Sequence, residues 1–170
     1  ISPSRTLCGV EGGSKKRALE LLANTIAQDI PDIDADELFR RLISRERLGS
    51  TGIGHGIAIP HCRIEHCNGT VGALITLTDP IDFDAIDSQP VDILFAMLVP
   101  EDAHSEHLQT LAALAGALNN AEYRQRLRRG QGDGQPQRRA HERPGARRGH
   151  RHGQQAGERR VEQRMAQLGR

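Results

Sequence analysis

Aromatic residues are nearly missing from this 170-residue chain, which has no tryptophan, one tyrosine and three phenylalanines. Residues 128–170 contain none of them. That argues against a dedicated single-strand nucleic-acid binder, which needs rings for bases to stack on. Lysine occurs only at Lys15 and Lys16, so no Gly-Lys-Ser/Thr sequence closes a nucleotide P-loop. The longest apolar run, Ile93 to Val99, has seven residues, far short of the roughly 20 that a helix needs to cross a bilayer. No signal-peptide pattern is found. The three cysteines, Cys8, Cys62 and Cys67, fit a reducing compartment better than a disulfide scaffold. A membrane protein and a secreted disulfide protein are thereby excluded, and a cytoplasmic location is expected. The first residue is Ile1, so the natural start is expected to be missing.

The net charge of +1 is a near-cancellation between two unlike segments. Residues 1–127 carry 11 Lys/Arg against 18 Asp/Glu, a formal −7, whereas residues 128–170 carry 12 Arg against 4 Asp/Glu, a formal +8. The total therefore says nothing about partners. In the second segment 8 Gly and 7 Gln accompany the arginines, and only Val161, Met165 and Leu168 are sizeable apolar groups. Such a stretch cannot bury enough surface to offset its ordering entropy, so disorder is expected. A shifted reading frame of a GC-rich gene yields the same residues. A frameshift near codon 128 is the expectation, a genuine basic tail the alternative, and resequencing the gene separates them.

Within residues 1–127 helix and strand signals interleave. Leu19, Leu22, Ile26 and Ile30 recur at helical spacing behind Ser14, which predicts a helix over about 14–29 that Pro31 ends. Asp34, with Glu37 three residues on, is a capping-box-like start for a second helix. Its apolar stripe is Leu38, Phe39, Leu42 and Ile43, and Gly49 is its stop. The run Gly49-Ser50-Thr51-Gly52-Ile53-Gly54-His55-Gly56 has four glycines in eight residues and is expected to be irregular. A short strand at 57–59, broken by Pro60, comes next. A β-rich run at 71–77, a loop across 80–90 with room for a short strand, and a buried central strand at 91–99 follow. Leu108, Leu111, Ala112, Ala115 and Leu118 predict a third helix over about 102–119, with a further turn or two at 122–127. Amphipathic helices interleaved with buried strands predict an α/β sandwich rather than a bundle or barrel.

The glycine-rich run is a candidate anion cradle. Gly49, Gly52, Gly54 and Gly56 let backbone N–H groups approach a phosphate, and Ser50 and Thr51 add hydroxyl donors. A flexible connection explains the glycines equally well. The run leads into Gly56-Ile57-Ala58-Ile59-Pro60-His61. A histidine delivered from a short apolar strand, after a rigid proline, is placed to accept a phosphoryl group, because neutral imidazole is a good nucleophile near pH 7. The pairs His61-Cys62 and His66-Cys67 invite a metal reading. Adjacent residues rarely chelate one tetrahedral ion, however, and no second pair lies at zinc-finger spacing, so neither metal nor cofactor is expected.

The stretch from Arg45-Glu46-Arg47-Leu48-Gly49-Ser50-Thr51 through Gly56-Ile57-Ala58-Ile59-Pro60-His61 resembles a known phosphorylation motif. It is that of the IIA components of the bacterial phosphoenolpyruvate phosphotransferase system, fructose/mannitol type. Phe83-Asp84-Ala85-Ile86-Asp87 and Pro90-Val91-Asp92-Ile93-Leu94-Phe95, running to Leu98-Val99-Pro100, match as well. The similarity covers about residues 5–127 and is greatest to stand-alone nitrogen-regulatory members. It implies a mixed β-sheet flanked by helices, and phosphorylation of His61 by a histidine phosphocarrier protein. It also implies active-site roles for Arg45 and His107, and a phosphorylation state that signals to regulatory or transport partners in nitrogen metabolism and potassium homeostasis. Relatives continue past the position of Leu127 with an amphipathic segment that closes the fold, and this sequence does not.

Arg45 falls in the last turn of the second helix. There it completes the helix dipole, and there a guanidinium can neutralise a transferring phosphoryl group. His107 lies near the start of the third helix, within a turn or so of Asp102 or Ser105 as cap. The positive helix end favours its neutral form, which still donates one N–H to a phosphate oxygen. His104, a turn earlier, is expected to face solvent. Members commonly carry a small residue where Cys62 stands, which fits packing. Two rival readings exist. A sugar-specific IIA subunit would pass phosphate to a IIB transporter component; the lack of a IIB or membrane domain within these 170 residues leans against it. The other rival is phosphate-backbone binding by the Arg/Gly tail.

Overall fold

A computed structural model of the chain describes residues 1–65, 67–102 and 106–130. A single turn of 3-10 helix (Pro3–Arg5) leads into β1 (Thr6–Val10), α1 (Lys15–Asp29) and α2 (Ala35–Arg47). Next come β2 (Gly52–Gly54), β3 (Ile57–Ala58), β4 (His61–Ile64), β5 (Val71–Ile81) and β6 (Val91–Pro100), and then α3 (Glu106–Leu118) and α4 (Ala121–Arg128). The first two helices start where their caps dictate. The Ser14 side chain accepts the Arg17 N–H at 3.3 Å, and Asp34 accepts the Glu37 N–H at 2.7 Å. The reciprocal half of the capping box is not made. The Glu37 carboxylate turns instead to Arg41, one turn on, at 2.9 Å, the i,i+4 neighbour a helix surface offers.

Among the described residues six strands form one mixed sheet, with β6 as its hub. β5 pairs with β6 antiparallel, and β1 lies outside β5 in parallel. On the other side of β6, β3 and β4 pair with it in parallel, one after the other, and β2 folds back antiparallel on β3. The ladder is interrupted between β3 and β4 at Pro60, which has no N–H to give.

Side chains alternate across this sheet and build two apolar layers. Ala73, Ile75 and Leu77 of β5 and Leu94, Ala96 and Leu98 of β6 pack with Leu19, Leu22 and Ile26 of α1 and Leu38 and Leu42 of α2. Leu74 and Ile93, alternating with them, join Ile57, Ile59 and Leu118, with Leu111, Leu114 and Leu127 against them. The helices thus flank both faces, α1 and α2 on one, α3 and α4 on the other. No helix among the described residues is long and apolar enough to cross a membrane.

Several elements depart from the expectations. Gly52–Gly54, within the run expected to be irregular, is a strand, and its glycines are there for contact. A Cβ on Gly52 would sit 2.7 Å from Ala85 Cβ and 2.8 Å from its Cα, so backbone would have to move. Gly52→Ala is expected to destabilise the fold by about 1–3 kcal/mol, the usual range for overpacking, measured by urea denaturation at unchanged m-value. β1 was not foreseen, since Gly9, at φ +62°, interrupts a five-residue run that is only partly buried. β5 continues to Ile81, four residues past the expected end, because beyond the exposed residues 78–80 the buried Ile81 still pairs with Val91 of β6. The third helix is described over Glu106–Leu118, and residues 103–105 of its expected span lie outside the described residues. Of the expected tail, Arg128 closes α4 and Arg129 caps it. Residues 131–170 lie outside the described residues, as does His66.

Candidate functional site

His61 opens β4 directly after Pro60. Cys62 and Ile64 pack into the layer under α1 and α2, so alternation turns His61 and Arg63 to the opposite face, the one that α3 covers. The ring is half-buried, and its Nδ1 lies 2.7 Å from the carbonyl oxygen of Ile59. A carbonyl only accepts, so the proton sits on Nδ1 and Nε2 carries the lone pair. Arg45 Nε donates to that lone pair at 3.1 Å, and its Nη1 donates to the Gly49 carbonyl at 3.0 Å. One guanidinium therefore ties off the chain just past α2 and places a positive charge against Nε2 of the ring. His107 lies on α3; its side chain, and all of His104, lie outside the described residues.

The structure does not bring the whole glycine-rich run to this ring. Donors of the run are committed inward. The Thr51 N–H and hydroxyl go to the Glu46 carboxylate at 3.0 and 2.6 Å. The Gly52 N–H goes to Ser50 Oγ at 3.0 Å, the Ser50 hydroxyl to the Phe83 carbonyl at 2.7 Å, and the His55 N–H to Asp87 at 2.8 Å. Gly54 and Gly56 stand at the far end. Ile57 is opposite Ile93, whereas His61 is opposite Met97, four residues along β6 and so about 13 Å away. The residues of the expected cradle, Gly49, Ser50, Thr51, Gly52, Gly54 and Gly56, are therefore spread along the run: the Gly49 carbonyl accepts from Arg45, and the others lie farther along it. Gly54 and Gly56 instead serve a tight hairpin at φ +96° and +79°.

Sequence reasoning missed the two charged clusters that hold this hairpin. At its base lies Glu46, buried on the last turn of α2 beside Arg45. At its tip Arg128 grips Asp92 through Nε and Nη2 at 2.6 and 2.9 Å, and Nη2 also donates to the His55 carbonyl at 2.8 Å. The hydrogen bond to Asp92 raises the Arg128 pKa against the opposing effect of burial. Nearby, the N–H groups of His55 and Gln89 hold the Asp87 carboxyl below the usual carboxylate range.

Cys62, next to His61, packs against the apolar layer under α1 and α2. Burial among apolar groups pushes its thiol up to about 12. Near pH 8 it is then almost wholly in the unreactive thiol form. Iodoacetamide at pH 8 is expected to modify the exposed Cys8 first and to reach Cys62 only after denaturation. Rapid labelling of Cys62 in the native protein, seen by peptide mass mapping, would show that the thiol is not held this way.

Residues 1–135 match the family model described as phosphoenolpyruvate-dependent sugar phosphotransferase system, EIIA 2. The chain is 52% identical over 128 residues to a nitrogen regulatory protein of Pseudomonas aeruginosa, covering 75% of this chain and 83% of that one. It is 46% identical over 121 residues to a nitrogen regulatory protein of Escherichia coli, covering 71% and 74%. Its fold matches the crystal structure of nitrogen regulatory protein IIA-Ntr from Neisseria meningitidis with a TM-score of 0.68 at 39% identity, over 74% of this chain and 85% of that one. The IIA mannitol structure from Escherichia coli matches with a TM-score of 0.63 at 18% identity, over 75% and 89%, a likeness of fold alone. A mixed sheet flanked by helices, a histidine presented beside an arginine, and these matches agree: the chain belongs to the EIIA type 2 family of the phosphoenolpyruvate-dependent phosphotransferase system, as a IIA-type phosphocarrier.

Proposed function

We propose that His61 accepts a phosphoryl group on Nε2 from a histidine phosphocarrier protein, and that its phosphorylation state is a signal in nitrogen and potassium regulation. The pairing of the ring carries this reading, with Nδ1–H on the Ile59 carbonyl and Nε2 against Arg45. The Nε2 lone pair forms the new N–P bond while the donor's N–P bond breaks and returns its electron pair to the donor imidazole. No proton has to leave Nε2 first. The phosphorylated ring keeps its Nδ1–H on Ile59, and that carbonyl stabilises the positive charge the ring gains. Arg45, already against the lone pair, passes to the phosphoryl oxygens as a charge-assisted donor. His107, on α3, is a further donor to those oxygens by the family resemblance.

The test is to incubate the protein with phosphoenolpyruvate, enzyme I and a histidine phosphocarrier, and to read long-range 1H–15N couplings of the ring. Phosphate on Nε2 of His61 is expected; phosphate on Nδ1 would overturn the assignment. The regulatory half is supported by the nitrogen regulatory proteins among the relatives. A chromosomal His61→Ala change is expected to alter growth on poor nitrogen sources and cell potassium. Loss of sugar uptake instead would move the protein to a transporter pathway.

A further inference from the structure

Glu46 is not touched by the reaction just described, yet charges converge on it. Its side chain is 6% exposed, and a carboxylate so buried is costly unless it is hydrogen-bonded and paired. This one is both. It accepts two hydrogen bonds from Thr51 and faces Lys15 Nζ at 3.1 Å. Lys15 also reaches Asp84 at 2.6 Å and lies 4.8 Å from the centroid of the Phe83 ring. Burial works to lower the Lys15 pKa, but the hydrogen bonds to Asp84 and Glu46 outweigh it and raise it. The cation opposite Glu46 is therefore secure.

From Thr51 the contacts run on to the ring. The Thr51 carbonyl accepts the Ile59 N–H at 2.9 Å, and the Ile59 carbonyl accepts the proton on His61 Nδ1 at 2.7 Å. Two consecutive residues thus address the two ring nitrogens. Arg45 acts on Nε2 directly, and Glu46 acts on Nδ1 through Thr51 and Ile59. We propose that Glu46 is a positioning residue for phosphoryl transfer, locking Thr51 and with it the Ile59 carbonyl that selects the Nδ1–H tautomer of His61. Without that anchor the carbonyl is free to shift and the Nε2–H tautomer becomes populated. In that form the nucleophilic nitrogen has no lone pair to offer.

The proposal rests on His61 as the acceptor, and its test separates the two. Full-length protein with 15N-labelled histidine is compared with Glu46→Ala and Glu46→Gln at pH 8. The ring-nitrogen shifts are read before any phosphate is added, and uptake from the histidine phosphocarrier afterwards. Wild type and Glu46→Gln, whose amide oxygen still accepts from Thr51, are expected to show a protonated Nδ1 and an unprotonated Nε2. In Glu46→Ala both signals move towards the average of the two tautomers, and uptake slows about 10- to 100-fold, the scale of losing a group that orients a reacting side chain. If the Ala variant does not fold, Glu46→Asp takes its place. It keeps the charge opposite Lys15, draws the carboxylate back by one methylene, and is expected to shift the ring signals the same way. Unchanged ring signals overturn the proposal even where uptake slows, because a slower rate with an intact tautomer is a structural loss only. Failure of the wild type to take phosphate on His61 overturns the acceptor reading instead.

Discussion

His61→Ala is expected to abolish acid-labile phosphate when the chain is incubated with phosphoenolpyruvate, enzyme I and the histidine phosphocarrier. Phosphoryl transfer leaves the protein little covalent work beyond offering one lone pair in line with the breaking bond. In His61 that pair is fixed, with the other ring nitrogen on a carbonyl and a guanidinium in place. Ala keeps the backbone of β4, and the half-buried ring leaves no large void in the core, so the variant is expected to melt near the wild-type temperature. Label that survives at His107 or His104 would refute the assignment.

Arg45→Ala is expected to slow phosphoryl uptake about 10- to 1,000-fold, the range seen when one preorganised charge or donor is removed from a transition state. Arg45→Lys recovers only part of this. An ammonium is a point charge, whereas the guanidinium here spans Nε2 of His61 and the Gly49 carbonyl with two separate N–H groups, a geometry lysine cannot copy. His107→Ala is expected to slow uptake in the same direction. Stopped-flow mixing with phosphorylated carrier measures all three. Wild-type rates in the Arg45 and His107 variants would reduce these residues to structural roles.

Much of this was legible in the sequence because the signals were local. Ser14 and Asp34 are caps whose side chains bond within three residues. The apolar run of β6 is buried on both faces and reads so from composition. His61 stood out because strand, proline and histidine are consecutive. What stayed hidden depends on partners far away in the chain. The Glu46 network joins residues 15, 46, 51 and 84, and nothing in Arg45-Glu46-Arg47 marks which charge is turned inward. The hairpin glycines suggested an anion cradle because composition cannot tell a backbone that must approach a phosphate from one that must pass Ala85.

Arg128 shows where the chain can be shortened. Composition places the end of the working part at Leu127, yet the next residue holds Asp92 and the His55 carbonyl together. It also packs so close to Gly56 that a Cβ there would fall 2.5 Å from Nη2. A truncation after residue 127 would leave the Asp92 carboxylate, 18% exposed, without its cation at the hairpin tip. Gly130, whose N–H returns to the Leu127 carbonyl at 3.1 Å, closes the last helical turn. A shortened form meant for crystals or spectra should therefore end no earlier than residue 130.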